Sequence, residues 1–369
     1  MKLAFCLFRY FPFGGLQRDF MRIAEEAHRR GHDITVFTMQ WDGDKPDWMK
    51  INILPTRSFT NHDRAWHFSH AVFEKTKEAG FDKIIGFNKM HGLDIYYAAD
   101  TCFIAKEKYR LSPWNKLTRR YRIYARLEKA VLAPQHKTDV LLISPAELKI
   151  YQDFYATPNE RLHLLPPGIS KDRIGKANDQ EARRKIREQL EIPEDDFVVL
   201  EIGSSFNTKG VDRSLQALAN LPFYLHIKTH LVIAGMDKRL QTYRKLAEQL
   251  NLNNVYFLGP RTDVPDLLAA ADLLIHPARL ENTGTALLEA LVAGVPVLTT
   301  DNCGYSSYIK ESGGGVSLAI PFVQEDINTQ LLLMLDRAKL EQFKINALNY
   351  AKSADLFSLI DRTVDFIER

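Results

Sequence analysis

The chain has 369 residues, 45% of them hydrophobic and 26% charged, with 49 Lys and Arg set against 46 Asp and Glu. That length suits about two domains, and the composition excludes wholesale disorder and a collagen-like repeat. The net charge of +3 excludes a uniformly basic surface coated with nucleic acid, but it leaves local patches open.

Residues 3–8 form a short apolar run, the length of a buried parallel strand. Arg9 cuts it too early for a secretory signal. Phe13-Gly14-Gly15 breaks the run, and tandem glycines there let backbone approach a ligand closely. Phe20, Ile23, Ala24 and Ala27 then recur at helical spacing, and Gly31 closes that helix. A strand over 34–37 completes a βαβ unit. Further strands are predicted at 83–87 and 140–143. After Pro166-Pro167-Gly168 the rhythm restarts, with strands at 197–202, 231–234, 255–258, 273–275 and 297–299 and helices between them. Strand and helix in alternation predict two doubly wound parallel sheets. The boundary falls near 168–175, and a charged, exposed helix over 176–188 opens the second domain. The last stretch reads as helical and can return to the first domain.

Three cysteines without a C-x-x-C spacing give neither a zinc site nor a dithiol. No apolar run approaches the ~18 residues of a membrane span. The expected setting is the cytoplasm. In doubly wound folds, ligands sit beyond the carboxyl ends of the strands. Chemistry-bearing residues should therefore follow strands, and two groups do. Gly203-Ser204-Ser205-Phe206-Asn207-Thr208-Lys209-Gly210 pairs small residues with one cation, a pattern for phosphate and also for an ordinary strand–helix turn. Glu281-Asn282-Thr283-Gly284, followed by Glu289, sets two carboxylates around a helix start. There they can accept sugar hydroxyls or simply serve the helix end. The dinucleotide fingerprint is absent. Asp42-Gly43-Asp44 reads as a turn rather than a metal site, and His62, His67 and His70 as a helix face. Cys303 reads as a packed thiol.

Residues 106–129 carry nine basic and two acidic side chains with aromatics between them, so the remainder is mildly acidic. Lys116, Arg119, Arg120, Arg122 and Arg126, with Trp114, Tyr121 and Tyr124, suit an anionic membrane surface. The same pattern suits a solvated helix whose aromatics pack inward. No nucleic-acid module accompanies the patch.

Together these loops resemble the GT-B glycosyltransferases of family 4, whose hallmark Glu-x7-Glu stands here as Glu281 and Glu289. Gly14-Gly15, Gly203 with Lys209, and Pro167-Gly168-Ile169 with Arg173 match further landmarks of the family. Residues 10–19, 86–90, 97–100 and 302–305 are similar to lipopolysaccharide core glucosyltransferases within it. The resemblance implies an α/β GT-B fold, two doubly wound Rossmann-like domains facing across a cleft. Residues 1–170 would be the acceptor-side domain and 171–369 the nucleotide-sugar domain. It implies a retaining hexosyltransferase that uses UDP-glucose, with an inner-core heptose of lipopolysaccharide as acceptor and no metal or other cofactor. It places such an enzyme at the inner face of the cytoplasmic membrane. Glu289 would hold ribose hydroxyls and Glu281 the donor sugar. Lys209 and Arg173 would neutralise the diphosphate, and Gly15 and Gly284 would lie beside the donor. Asp19 and Asp100 would line the acceptor side. Two rivals share these features: a nucleotide-sugar epimerase or other enzyme on the same fold, and a non-catalytic protein that binds nucleotide and membrane.

Overall fold

The computed structural model describes residues 1–12, 14–108, 113–171 and 179–369. They form two units, residues 1–168 with 358–369, and residues 169–357.

The first unit is built on seven strands: β1 (Lys2–Tyr10), β2 (Asp33–Trp41), β3 (Met49–Ile53), β4 (Lys83–Gly86), β5 (Ile95–Ala98), β6 (Asp139–Leu142) and β7 (Leu162–Leu164). Their order is β3-β2-β1-β4-β5-β6-β7, every pair parallel. The side-chain period of two along β1 feeds both faces. Leu3, Phe5 and Leu7 join one buried cluster, while Ala4 and Cys6 join the other. The helix Leu359–Ile367 belongs to this unit, where Leu359, Ile360, Val364 and Ile367 complete the first of those clusters. Arg30 fixes its far end through Asp365 at 2.7 Å and Glu368 at 2.9 Å.

The second unit holds β8 (Phe197–Ile202), β9 (Thr229–Ala234), β10 (Val255–Gly259), β11 (Leu273–His276), β12 (Val297–Thr300) and β13 (Gly315–Leu318), in the order β10-β9-β8-β11-β12-β13 and again parallel. Both sheets are doubly wound, as the strand–helix rhythm predicts.

Four strands were not expected from pattern. β3 alternates polar residues at a half-exposed sheet edge, β7 has three residues, and β5 and β13 have four each. Such runs are too short or too polar to stand out by periodicity. The charged helix expected over 176–188 also needs correction. Residues 176–178 lie outside the described residues; the helix runs Gln180–Gln189, and although Gln180, Glu181, Arg184, Lys185, Glu188 and Gln189 are exposed as expected, it also buries a face formed by Ala182, Ile186 and Arg187. Arg187 and Arg183 reach the Asp272 carboxylate at 2.7 and 2.9 Å, so their charge is neutralised within the fold rather than solvated. Among the described residues, no helix is long and apolar enough to cross a membrane.

Candidate functional site

In each sheet the strand order reverses beside the first strand of its unit, between β1 and β4 and between β8 and β11. Loops leaving the carboxyl ends of such a strand pair diverge and leave a crevice for ligands. Lys209 follows β8 and Glu281 follows β11, so the two candidates in the second unit come from the two strands that flank its reversal.

They meet. Lys209 Nζ donates to Glu281 Oε2, with both side chains less than one-fifth exposed. Burial lowers the Lys209 pKa below the ordinary lysine value, while Cys303 and Glu201 push the other way. The loops are joined a second time. Arg279 lies two residues before Glu281, and its guanidinium grips both oxygens of Asp212 at 2.7 Å. Arg279 also donates to Asn207 O at 2.9 Å, and its own N–H to Thr208 O at 2.8 Å. The cation loop and the carboxylate loop are thus one rigid assembly. Pairing across 67 residues of sequence gives no local signal, and sequence reasoning missed Arg279 and Asp212.

Gly284 caps the helix Thr285–Ala293 at φ +85°, where a Cβ would collide with Cys303 Sγ. That position needs glycine for both reasons. Gly210, at φ +88°, would likewise strike the Pro277 carbonyl. Glu289 lies inside the helix and is 5% exposed. Cys303 is packed, and burial pushes its thiol pKa up to about 12, which leaves it inert at neutral pH. His276 ends β11 fully buried, with both ring nitrogens lacking hydrogen-bond partners among the described residues. Burial, and then the Lys209 charge, pushes its pKa down to about 3. The ring is therefore neutral, and its 3.8 Å approach to Glu281 Oε2 is not an ion pair.

Beneath this assembly lies an acid that sequence pattern did not single out. Glu201 is the penultimate residue of the fully buried strand β8 and is 1% exposed. Burial, helped by Asp212, pushes its pKa up to about 8 against the pull of Ser214 and Lys209. Below pH 4.5 the unfolded and folded chains both hold this proton. As pH rises towards 8, the unfolded chain loses the proton first, so folding must take one up and stability falls. By pH 7 the cost is of the order of 3 kcal/mol. Glu201→Gln is expected to remove that loss. Its melting temperature should exceed the parent's by a margin that widens from pH 5 to pH 8, and a constant margin would contradict the assignment.

In the first unit, Gly14 caps the helix Gly15–Arg29, and a Cβ built on Gly15 would meet nothing within 4 Å. The backbone at that helix start is therefore open to close approach. One turn on, Asp19 accepts a hydrogen bond from Tyr97 Oη at 2.9 Å. Burial raises its pKa, opposed by Tyr97, Arg22 and Arg18. Asn88, after β4, accepts from Phe8 N at 2.8 Å and donates to the exposed Asp100 carboxylate at 3.4 Å. Asp19 and Asp100 thus both stand at the carboxyl edge of this sheet. Arg173 lies outside the described residues, as does Phe13.

Asp42-Gly43-Asp44 is a turn with Gly43 at φ +104°, and Asp42 is engaged by Arg9 at 2.7 Å. Among the described residues, no group of three or more His, Cys, Asp and Glu side chains is placed to hold a metal ion.

The basic stretch supplies the helix Arg119–Leu132, which Thr118 caps by accepting from Tyr121 N. Lys116, Arg119, Arg120, Arg122 and Arg126 are exposed, and Trp114 is 74% exposed. Its aromatics divide. Trp114 faces solvent, whereas Tyr121 and Tyr124 pack on Phe103 with centroids 5.7 and 5.3 Å apart, and Arg120 lies over Phe103 and Tyr124. In that helix Glu128 is 0% exposed and collects five donors: Lys89 Nζ at 2.6 Å, Phe103 N at 2.8 Å, Ile104 N at 3.1 Å, Tyr155 Oη at 2.7 Å and the Cys102 thiol at 3.6 Å. Lys89 also donates to Thr101 O at 2.9 Å. This network fastens the segment beside Asp100 to the basic helix.

Comparison with known proteins follows the same division. The family model "Glycosyltransferase Family 4" matches residues 13–173, and "Glycosyl transferases group 1" matches residues 182–350. The lipopolysaccharide glucosyltransferase WaaG of Escherichia coli (strain K12) is 43% identical over 369 residues, covering 100% of this chain and 98% of that protein. A crystal structure of WaaG, described as a glycosyltransferase involved in lipopolysaccharide biosynthesis, matches with a TM-score of 0.90 over 99% of each chain. Anabaena Alr3699/HepE in complex with UDP-glucose matches with a TM-score of 0.73 at 19% identity, covering 100% of this chain and 99% of that one, a likeness of fold alone.

Proposed function

We propose that this chain, which belongs to the GT-B glycosyltransferases of family 4, transfers glucose from UDP-glucose to an inner-core heptose of lipopolysaccharide. Identity of 43% along the whole of this chain to the Escherichia coli lipopolysaccharide glucosyltransferase, 98% of which is covered, is the observation that carries this reading. The reaction breaks the bond between glucose C1 and the diphosphate oxygen and forms one from C1 to an acceptor hydroxyl. The electron pair leaves with UDP, so negative charge grows on the diphosphate while the sugar ring becomes electron-poor. Lys209, with Arg173, meets the first charge, and preorganised cations of this kind do most where water is scarce. Glu281 presents the Lys209 ammonium and accepts hydroxyls of the glucose, and Gly284 keeps the helix start beside it free of a side chain. Glu289 takes the ribose hydroxyls. Gly15 admits the diphosphate to the backbone of the first helix, and Asp19 and Asp100 orient the acceptor. Attack on the face that the diphosphate leaves, with a phosphate oxygen taking the acceptor proton, retains the anomeric configuration.

The acceptor is lipid-linked, and the basic helix suits an anionic bilayer such as the inner face of the cytoplasmic membrane. The test is turnover of UDP-glucose with a heptose-bearing core acceptor, followed by anomeric NMR. The expected product is one α-linked glucose per acceptor with release of UDP. A changed sugar without acceptor would reveal an epimerase, and nucleotide binding without any product would reveal a non-catalytic protein. Either result overturns the reading.

A further inference from the structure

The N-terminal turns of two helices lie together in the first unit. Asn61–Thr76 is capped by Thr60, and Arg119–Leu132 by Thr118. Arg119 Nε donates to Asp63 Oδ1 at 2.9 Å, and Ala65 packs with Ile123 and Leu127. Two helix starts at one place add their positive ends. The short connection before Thr60 carries a side chain with no structural task. Phe59 is fully exposed. Its neighbours are held, since Arg64 Nε donates to Ser58 O at 2.7 Å and Thr60 Oγ1 to Asp63 Oδ2 at 2.7 Å. Phe59 is therefore presented outward by a braced turn, between the exposed cations Arg57 and Arg64.

A single exposed aromatic is ordinary on a protein surface. This one has company of the same kind. Trp114 and Leu117, 74% and 67% exposed, lie within five residues of Arg119, while Phe59 lies four residues from Asp63, the other end of that ion pair. Apolar tips set among cations fit one surface well, an anionic bilayer interface. Charges draw the protein down, and inserted apolar groups hold it, where one signal alone binds marginally.

We propose that Phe59 is a second membrane anchor, entering the same anionic bilayer surface on which the basic helix docks. The proposal rests on the membrane reading above and adds a site on a different element. Phe59→Cys is to be labelled with an environment-sensitive fluorophore, which the buried Cys6, Cys102 and Cys303 leave selective. Vesicles of phosphatidylethanolamine with phosphatidylglycerol are then added, with phosphatidylcholine vesicles as the neutral control. Emission at 59 is expected to rise and shift to the blue with anionic vesicles only. A probe at Glu78→Cys, exposed beyond the opposite end of the same helix, should stay unchanged. In flotation, Phe59→Ser is expected to bind about ten-fold more weakly, the order set by losing one buried aromatic, with unchanged turnover of a detergent-dispersed acceptor. If the parent chain floats while the probe at 59 stays silent, Phe59 is no anchor and the basic helix acts alone. If the parent chain does not float with anionic vesicles, the membrane reading and this proposal fall together.

Discussion

Lys209→Ala is expected to lower turnover of UDP-glucose by a factor of about 100 to 1,000, the usual effect of removing one preorganised group that meets developing charge. The variant does more than delete a cation. Lys209 is the partner of Glu281, and on the proposed reading its loss leaves that carboxylate facing the diphosphate with no counter-charge. Repulsion then raises KM while kcat falls. Lys209→Ala/Glu281→Gln should recover part of the KM, so the two changes are not additive. Neither loop should move, because Arg279 still binds Asp212 and the two backbone oxygens at 207 and 208. Circular dichroism and melting temperature should stay near those of the parent. Initial rates at saturating and limiting donor separate the two effects. Parent-like kcat and KM in Lys209→Ala would remove this loop from the site.

The second large effect is on stability. Glu128→Ala is expected to cost about 3 to 5 kcal/mol, as expected when one partner of a buried ion pair is deleted. Burial opposes the charge on Lys89, yet the adjoining Glu128 carboxylate outweighs it and lifts the lysine pKa. In the variant that charge stays behind in the interior, and Phe103 N, Ile104 N and Tyr155 Oη lose their acceptor together. Urea unfolding followed by fluorescence measures the loss. Replacing both partners by apolar residues, Lys89→Met/Glu128→Leu, should return only the part due to the stranded charge, because Phe103 N, Ile104 N and Tyr155 Oη still lack their acceptor. A loss below about 1 kcal/mol in Glu128→Ala would mean that water reaches the network.

These two residues also mark what sequence could tell. Lys209 and Glu281 were legible because each follows a strand, and doubly wound sheets bring the ends of non-adjacent strands together. The length of β8 and β11 and the glycine at 284 carried that information locally. Glu128 was visible only as a scarce acid in a basic run, because its partners lie on three other segments and no periodicity points to them. Arg279 and Asp212 were invisible for the same reason. The aromatics between residues 106 and 129 matched a membrane face and an inward-packed helix equally well. Only the position of Phe103 separates Tyr121 and Tyr124 from Trp114. Phe59 was hidden because one aromatic in a polar connection forms no pattern until Asp63 is seen against Arg119.

The helix Leu359–Ile367 has a consequence during synthesis. It completes the apolar core around β1, but the ribosome makes it only after the 189 residues of the second unit. At the usual 5–20 residues per second that interval is roughly 10–40 s. Through that time the nascent first unit lacks Leu359, Ile360, Val364 and Ile367, and its core around β1 stays incomplete. The second unit, all of whose strands lie between residues 197 and 318, can close on itself first. The earlier-made unit thus completes its core last, after every residue of the second unit has been synthesised.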